Sequence, residues 1–322
     1  MRIDIVCPHS EIGKCGVYDH SMILCETLRK KGCEARLAST LSINSDNSDV
    51  SSVVLAYTPF LYGAWNPYPY LLLSRLRKAK IKTLLFIHEI FMPAYGSALA
   101  NLIHRPFHFW QDRAVLQVTD QIAVTSTKRV YLLKKMGYKN VVRLPVFSNI
   151  PFSSTKDSNK KYVAGTFGSS HDDYMPEVLA GAMEISGLGR AIHIGSPDII
   201  KSQYIEESGF LSPDAVSDTL RKLHYFVVCD KRGISFRKGS SAAALSHAIP
   251  VVANKTDWTD PEFIHGENVW FYDGTAQGLA DALNTLDKHD VLRNRIANGG
   301  QQMYEKIMAP SVIADKICGI LA

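Results

Sequence analysis

Three observations predict an α/β protein built from two doubly wound domains. Short apolar runs alternate with amphipathic helical stretches, a polar break interrupts the chain near its middle, and the length is 322 residues. That length exceeds what one hydrophobic core usually serves, so two domains are expected. Continuous apolar strands separated by amphipathic helices indicate parallel sheets covered on both faces. Hydrophobic residues form 46% of the chain and charged residues 21%, a balance that excludes a disordered or fibrous protein.

The elements follow in order. Residues 1–6 are too short and too acidic for a secretory signal, and 3–7 read as a first strand, followed by a helix over 17–31. Strands at 53–56, 83–87, 121–125 and 141–144 alternate with helices at 68–78 and 127–136. Residues 152–161 are polar, rich in Ser and Lys, and read as a linker. The second half repeats the theme with strands at 162–165, 191–194, 225–228, 250–253 and 269–271. Its helices are expected at 173–186, with Asp172-Asp173 at the start, and at 214–223, 276–286 and 291–306. The domains are therefore 1–151 and 162–308, with a terminal segment, 309–322. Ligands of such Rossmann-like sheets bind at the carboxyl ends of the strands, so the domains are expected to face each other across a cleft.

Net charge is +5, partly clustered in Arg75, Arg77, Lys78, Lys80 and Lys82 and again in Lys128, Arg129, Lys134, Lys135 and Lys139. Such clusters suit solvated helix faces, or peripheral contact with an anionic membrane or acidic acceptor. They lack the excess and the aromatic interleaving of a nucleic-acid binder, so nucleic acid is not an expected partner. No apolar run reaches the ~18 residues of a bilayer span. The six cysteines show no CxxC pair and no metal spacing, which suits thiols in a reducing cytoplasm. Any membrane contact would then be at the inner face.

The stretch 233–253 carries the strongest functional signal. Arg237 and Lys238 stand directly before Gly239-Ser240, small residues fill 241–244, and a strand follows. This is a loop feeding a helix N-terminus, whose exposed N–H groups and positive dipole end hold anions. Arginine adds a planar fork matched to phosphate, and small side chains permit close approach. An ordinary α/β loop with its cations in water is the alternative.

Other positions at strand ends are candidates for substrate contact. In the first loop, 8–20, Gly13 and Gly16 suit close approach to a ligand, but the pattern is not G-x-G-x-x-G and a nicotinamide site is disfavoured. Asp19, one turn into the helix, either faces the cleft or complements the dipole. His88 and Glu89 end the strand 83–87 as a polar pair. His88 either donates to a hydroxyl or leaving oxygen, transfers a proton, or is structural. The aromatic stretch 57–66, with Tyr57 and Tyr62, offers an acceptor platform or a packed loop. Residues 165–170, opening with Gly165, offer backbone donors to phosphate. Glu262 either bonds ribose or sugar hydroxyls or starts a helix. There is no GxxxxGK[ST] loop, GxSxG elbow, HExxH helix or metal-placing D-x-D.

In their order these pieces resemble a GT-B fold glycosyltransferase of the family 4 type, across nearly all 322 residues. The resemblance rests on Gly16-Val17, His88, Leu144-Pro145 with Asn149-Ile150-Pro151, Gly165, residues 235–252, Pro261-Glu262 and Asn268. It includes a terminal helix, 310–321, that in this fold usually packs back on the first domain. It implies sugar transfer from a nucleotide-diphosphate donor to an acceptor hydroxyl, with retention and with neither metal nor cofactor. The acceptor would be a glycan, lipid-linked or small molecule, in surface polysaccharide or glycoconjugate synthesis. Implied catalytic residues are His88, Asp19 and Arg237. Gly16, Arg237, Lys238, Gly239 and Ser240 would bind the diphosphate; Gly165, Ser235 and Glu262 the donor sugar and nucleotide; Tyr57, Tyr62 and Glu89 would stand on the acceptor side.

Two departures bear on this. The spaced glutamates usual in the family fall at Ser235 and Ala243, and the expected Arg and Lys are absent from 165–171. The chain is similar instead to a group with an Arg-x-Gly-Ser turn, here Arg237–Ser240, and a Gly-Val-x-Asp opening, here Gly16–Asp19. A non-catalytic sugar-nucleotide or glycan binder, and a transferase acting on a polyanion such as modified DNA, are the competing expectations.

Overall fold

The computed structural model describes residues 1–10, 15–40, 52–59, 61–63, 66–90, 98–152, 161–168, 173–198 and 201–322, without the side chains of 98–105. Gly13, Phe60, Trp65, Asp172, residues 169–171 and most of the linker lie outside the described residues. The chain divides into two compact units: Met1–Thr125 with Arg129–Pro145 and Pro310–Ala322, and Ser126–Lys128 with Val146–Ala309.

Unit 1 carries β1 (Arg2–Val6), α1 (Gly16–Lys30), β2 (Glu34–Ala38), β3 (Ser52–Tyr57), α2 (Tyr68–Lys78) and β4 (Lys82–Ile87). It continues with α3 (Ala98–Val118), β5 (Gln121–Val124), α4 (Thr127–Lys135), of which Arg129 onward belongs to this unit, and β6 (Val141–Arg143). All six strands are parallel in the order β2-β1-β3-β4-β5-β6, so direction reverses at β1/β3. β3 is buried along its whole length, as a central parallel strand must be. Asp19 in the first turn of α1 and Arg29 and Lys30 in its last match the helix dipole.

Unit 2 carries β7 (Tyr162–Gly168), α5 (Pro176–Ser186), β8 (Ala191–Gly195), β9 (Ile205–Glu207), α6 (Pro213–Arg221) and β10 (Leu223–Val228). Next come α7 (Gly239–Ser246), β11 (Val251–Asn254), β12 (Trp270–Tyr272), α8 (Ala276–Asp287) and α9 (Asp290–Met303), which runs into one π turn at Tyr304–Met308. The strands are again parallel, in the order β12-β11-β10-β7-β8-β9, with reversal at β7/β10. Caps fix two helix starts: Ser212 accepts from Ala215 N at 3.3 Å, and Thr275 from Gly278 N at 2.9 Å. The last helix, α10 (Pro310–Leu321), lies in unit 1 beside α1, where Lys31 meets Asp315 at 2.6 Å.

Three elements were not read from the sequence. β2 and the three-residue β9 are sheet edges with exposed or half-exposed positions, so their apolar signal is weak. Pro106 argues against helix in the middle of α3, yet the helix runs through it. The helix expected from Asp173 begins only at Pro176, because Asp173 is held in a turn by Arg232.

Candidate active site

The polar centre of unit 2 sits at the β7/β10 reversal, where doubly wound sheets bind ligands. Two residues beyond β10, Asp230 is 1% exposed and holds both cations of the 233–253 stretch. Arg237 Nη2 donates to its Oδ1 at 2.9 Å, Lys238 Nζ bonds Oδ2, and the Arg232 N–H donates at 2.8 Å. Asn254, ending β11, donates to the Asp230 carbonyl at 2.7 Å, and Tyr174 bridges Asp230 in antiparallel fashion. Arg232 turns to Asp173, with its guanidinium 5.5 Å over the Trp258 ring. Burial opposes ionisation of Asp230, but Lys238 and then Arg237 outweigh it and hold the carboxyl below its ordinary range. Burial lowers the Lys238 ammonium, against the pull of Asp230.

Both cations therefore face inward rather than into water. Lys238 is the extended N-cap of α7, and its side chain makes no capping hydrogen bond. A Cβ placed on Gly239 would meet nothing nearer than 3.9 Å, so packing within the unit does not demand glycine there. Ser240 is the second residue of α7. The small residues 241–244, expected to admit a ligand, are buried in the core instead, where α7 packs against the sheet. Ser235 and Ala243, at the family's glutamate positions, are both fully buried. The Ser235 Oγ has no hydrogen-bond partner among the described residues. Gly165 is a correction: it lies inside β7, and a Cβ there would fall 2.7 Å from both Leu223 methyls. Its bareness serves strand packing, not phosphate binding. Glu262 is half-buried, with its backbone carbonyl taken by Asn268 Nδ2 at 2.8 Å. Near the ends of β7 and β8, Thr166 bonds His193 at 2.8 Å and Tyr174 at 3.1 Å.

In unit 1, His88 directly follows β4 and is 92% buried, being 8% exposed. Its ring stacks on Phe86, with centroids 4.9 Å apart, and meets the edge of His20 at the same distance. Arg129 donates to the His88 carbonyl at 2.6 Å and to Thr125 at 2.9 Å, and pairs with Glu89. Burial, then the Arg129 charge, pushes His88 down to about 3, and burial holds His20 well below its usual value. Both rings are neutral near pH 7, which removes the imidazolium as a proton donor. Nε2 of His88 is buried without a partner among the described residues. Glu89 is committed to Arg129; Gly16 and Asp19 lie in the exposed or half-exposed first turn of α1.

Two acceptor-side expectations are corrected. Tyr57 is fully buried and donates to Asp112 at 2.6 Å, so its ring has no face for a sugar. Burial, with Asp112 beside it, pushes its hydroxyl pKa upward. The Tyr62 hydroxyl donates to the Ala56 carbonyl at 2.8 Å and to that of Val6 at 3.2 Å, tying the ends of β1 and β3. Sequence reasoning missed Asp230, His20 and Asn254. The signal was available for Asp230 and Asn254, which are polar residues at strand ends like His88.

Two parallel six-stranded sheets, each doubly wound, make this an α/β protein of the GT-B fold. The chain matches no protein-family profile and no curated protein sequence. Solved structures match it over nearly its full length. A sucrose-phosphate synthase from Thermosynechococcus elongatus aligns with TM-score 0.73 at 12% identity, covering 99% of this chain and 98% of its own. HepE from Anabaena, in complex with UDP-glucose, aligns with TM-score 0.69 at 13% identity, covering 100% and 99%. An alpha-glucosyltransferase in complex with UDP and a 13-mer DNA aligns with TM-score 0.66 at 12% identity, with the same coverage. Among the described residues there is no cluster of His, Cys, Asp and Glu fit for a metal ion, and no helix long and apolar enough to cross a membrane.

Proposed function

We propose that this protein transfers a sugar from a nucleoside-diphosphate donor to an acceptor hydroxyl, with retention. One observation carries the reading. A buried carboxylate, Asp230, holds Arg237 and Lys238 at the N-terminus of α7, at the reversal point of a sheet whose fold is shared with UDP-bound glycosyltransferases. Charge grows on the diphosphate as the glycosidic bond breaks. Arg237, Lys238 and the backbone N–H groups of Gly239 and Ser240 compensate it, so no metal is required. Within unit 2, Glu262 bonds hydroxyls of the donor. His88 acts as a neutral hydrogen-bonding group, which follows from its depressed pKa. The acceptor is a glycan, a lipid-linked sugar or a small molecule, in surface polysaccharide or glycoconjugate synthesis.

Asp230, Arg237 and Lys238 together carry a net charge of +1, from two cations and one anion. The carboxylate thus moderates the field and fixes the direction of both cations. The test combines binding and turnover. UDP, GDP, ADP and dTDP are screened by thermal shift, where a ligand at 100 times its dissociation constant stabilises by ~2.7 kcal/mol. Turnover of the matching sugar nucleotide is then followed for Arg237→Ala, with an expected loss of about a hundredfold or more. No shift with any diphosphate, or wild-type turnover in the variant, would overturn the proposal. The burial of Ser235 and Ala243, which leaves no carboxylate at either position, favours one second reading, a non-catalytic sugar-nucleotide binder. Tight diphosphate binding without turnover across acceptors distinguishes it.

A further inference from the structure

Unit 1 presents a helical layer whose outer surface has no counterpart in the proposed chemistry. β3, β4, β5 and β6 succeed one another in space and are joined through α2, α3 and α4. Right-handed crossovers in one direction place these three helices on one face of the sheet. Packing agrees: Leu72, Leu73 and Leu76 of α2, Val115 and Leu116 of α3, and Leu133 of α4 share one core cluster. Arg77 of α2 also donates to the Gln117 carbonyl of α3 at 3.1 Å.

The opposite, outward side of this layer is cationic and apolar at once. Residues 68–82 and 129–143 contain no Asp or Glu, and the one acid in 106–118, Asp112, is buried against Tyr57. Arg75, Lys78, Arg113, Lys134, Lys135 and Lys139 are exposed there. On the same helices, or directly after α4, Trp110 is 74% exposed, and Leu71, Tyr131, Leu132 and Met136 are also open to solvent. Unrelieved positive charge laced with exposed large apolar side chains is what an anionic lipid surface selects: headgroups meet the cations while Trp and aliphatic groups enter the interface. A nucleic acid would satisfy the cations and stack on aromatic rings, but offers nothing to Leu71, Leu132 and Met136.

We infer that the outer face of α2, α3 and α4 docks unit 1 on an anionic bilayer. The contact needs neither donor nor turnover, so its test is independent of the proposed reaction. The full chain is mixed with vesicles of phosphatidylcholine alone or with phosphatidylglycerol, and bound protein is measured by cosedimentation. Binding is expected only to the anionic vesicles, and to weaken as salt rises from about 0.1 M to about 1 M, which shortens the Debye length from about 10 Å to about 3 Å. Each cation near such a surface is worth about fivefold in partitioning, so the double change Lys134→Gln with Lys135→Gln should weaken it about 25-fold. Trp110→Ser should also weaken it, and should abolish the Trp110 contribution to fluorescence quenching by brominated lipid. Unchanged thermal unfolding shows that these surface variants remain folded. Absence of binding to anionic vesicles, equal binding to neutral ones, or indifference to the lysine changes would overturn the inference. So would duplex DNA competing away the bound protein while Trp110→Ser binds vesicles normally, an outcome that marks a polyanion site instead.

Discussion

Replacing Asp230 by Asn tests the centre of unit 2 directly. The carboxylate is 1% exposed, and its partners Arg237 and Lys238 have side chains 5% and 16% exposed, so solvent screens none of them well. The change keeps the shape and removes the charge, leaving two buried cations beside each other. Breaking a buried ion pair from one side typically costs about 3–5 kcal/mol, because the remaining charge is desolvated without compensation. For a unit of this size that corresponds to a fall of about 6–20 °C in Tm. The assay is thermal denaturation by circular dichroism, with and without inorganic pyrophosphate. An anion bound beside Arg237 and Lys238 takes over the role of the missing carboxylate, so pyrophosphate should raise the Tm of the variant more than that of the native protein. A loss under about 1 kcal/mol would refute the reasoning on burial and pairing. A full loss with no greater response to pyrophosphate would leave the ion pairs intact as structure and remove the cations from the anion site.

The neutral histidines of unit 1 predict a pH dependence. The folded pKa of His88, about 3, lies below its unfolded value, so the unfolded chain binds the extra proton first. Stability is complete above about pH 6.5 and falls as pH drops toward the folded pKa, by about 1.4 kcal/mol per pH unit for this ring. His88→Gln should therefore remove about 2 kcal/mol of the stability difference between pH 6.5 and 5 in urea titrations; identical pH slopes would contradict the assigned burial. Gly195→Ala is expected to destabilise unit 2 by about 2–6 kcal/mol, since it combines left-handed strain with a backbone clash. Its φ is +136° and an added Cβ would fall 1.9 Å from the Gly168 carbonyl oxygen. A variant that melts like the native protein would show that the ends of β7 and β8 can separate.

Legibility in the sequence followed burial. Strands such as β3, β4 and β10 are apolar over most of their length because most of both faces is covered, and their runs were visible without the structure. The edge strands β2 and β9 were not, since half their surface meets water. At the site, the helix start at Gly239 was readable from local chemistry, because two cations, a glycine and small residues follow in sequence. Asp230 was not, because only the loop between β10 and α7 brings its carboxylate under Arg237 and Lys238. Tyr57 shows the converse error. Its place at a strand end suggested a ligand platform, and the packing of α3 gave its hydroxyl to Asp112 instead.

By itself the sequence determined the two α/β units, the order of most of their elements and the position of the helix start at Gly239. These depend on periodicity and local turn chemistry, which act over a few residues. Only the tertiary structure decided which way the charges point, which histidines stay neutral and which glycines serve packing. Those properties arise from groups distant in sequence and adjacent in space, where low local polarity makes each neighbour's charge and each buried atom count.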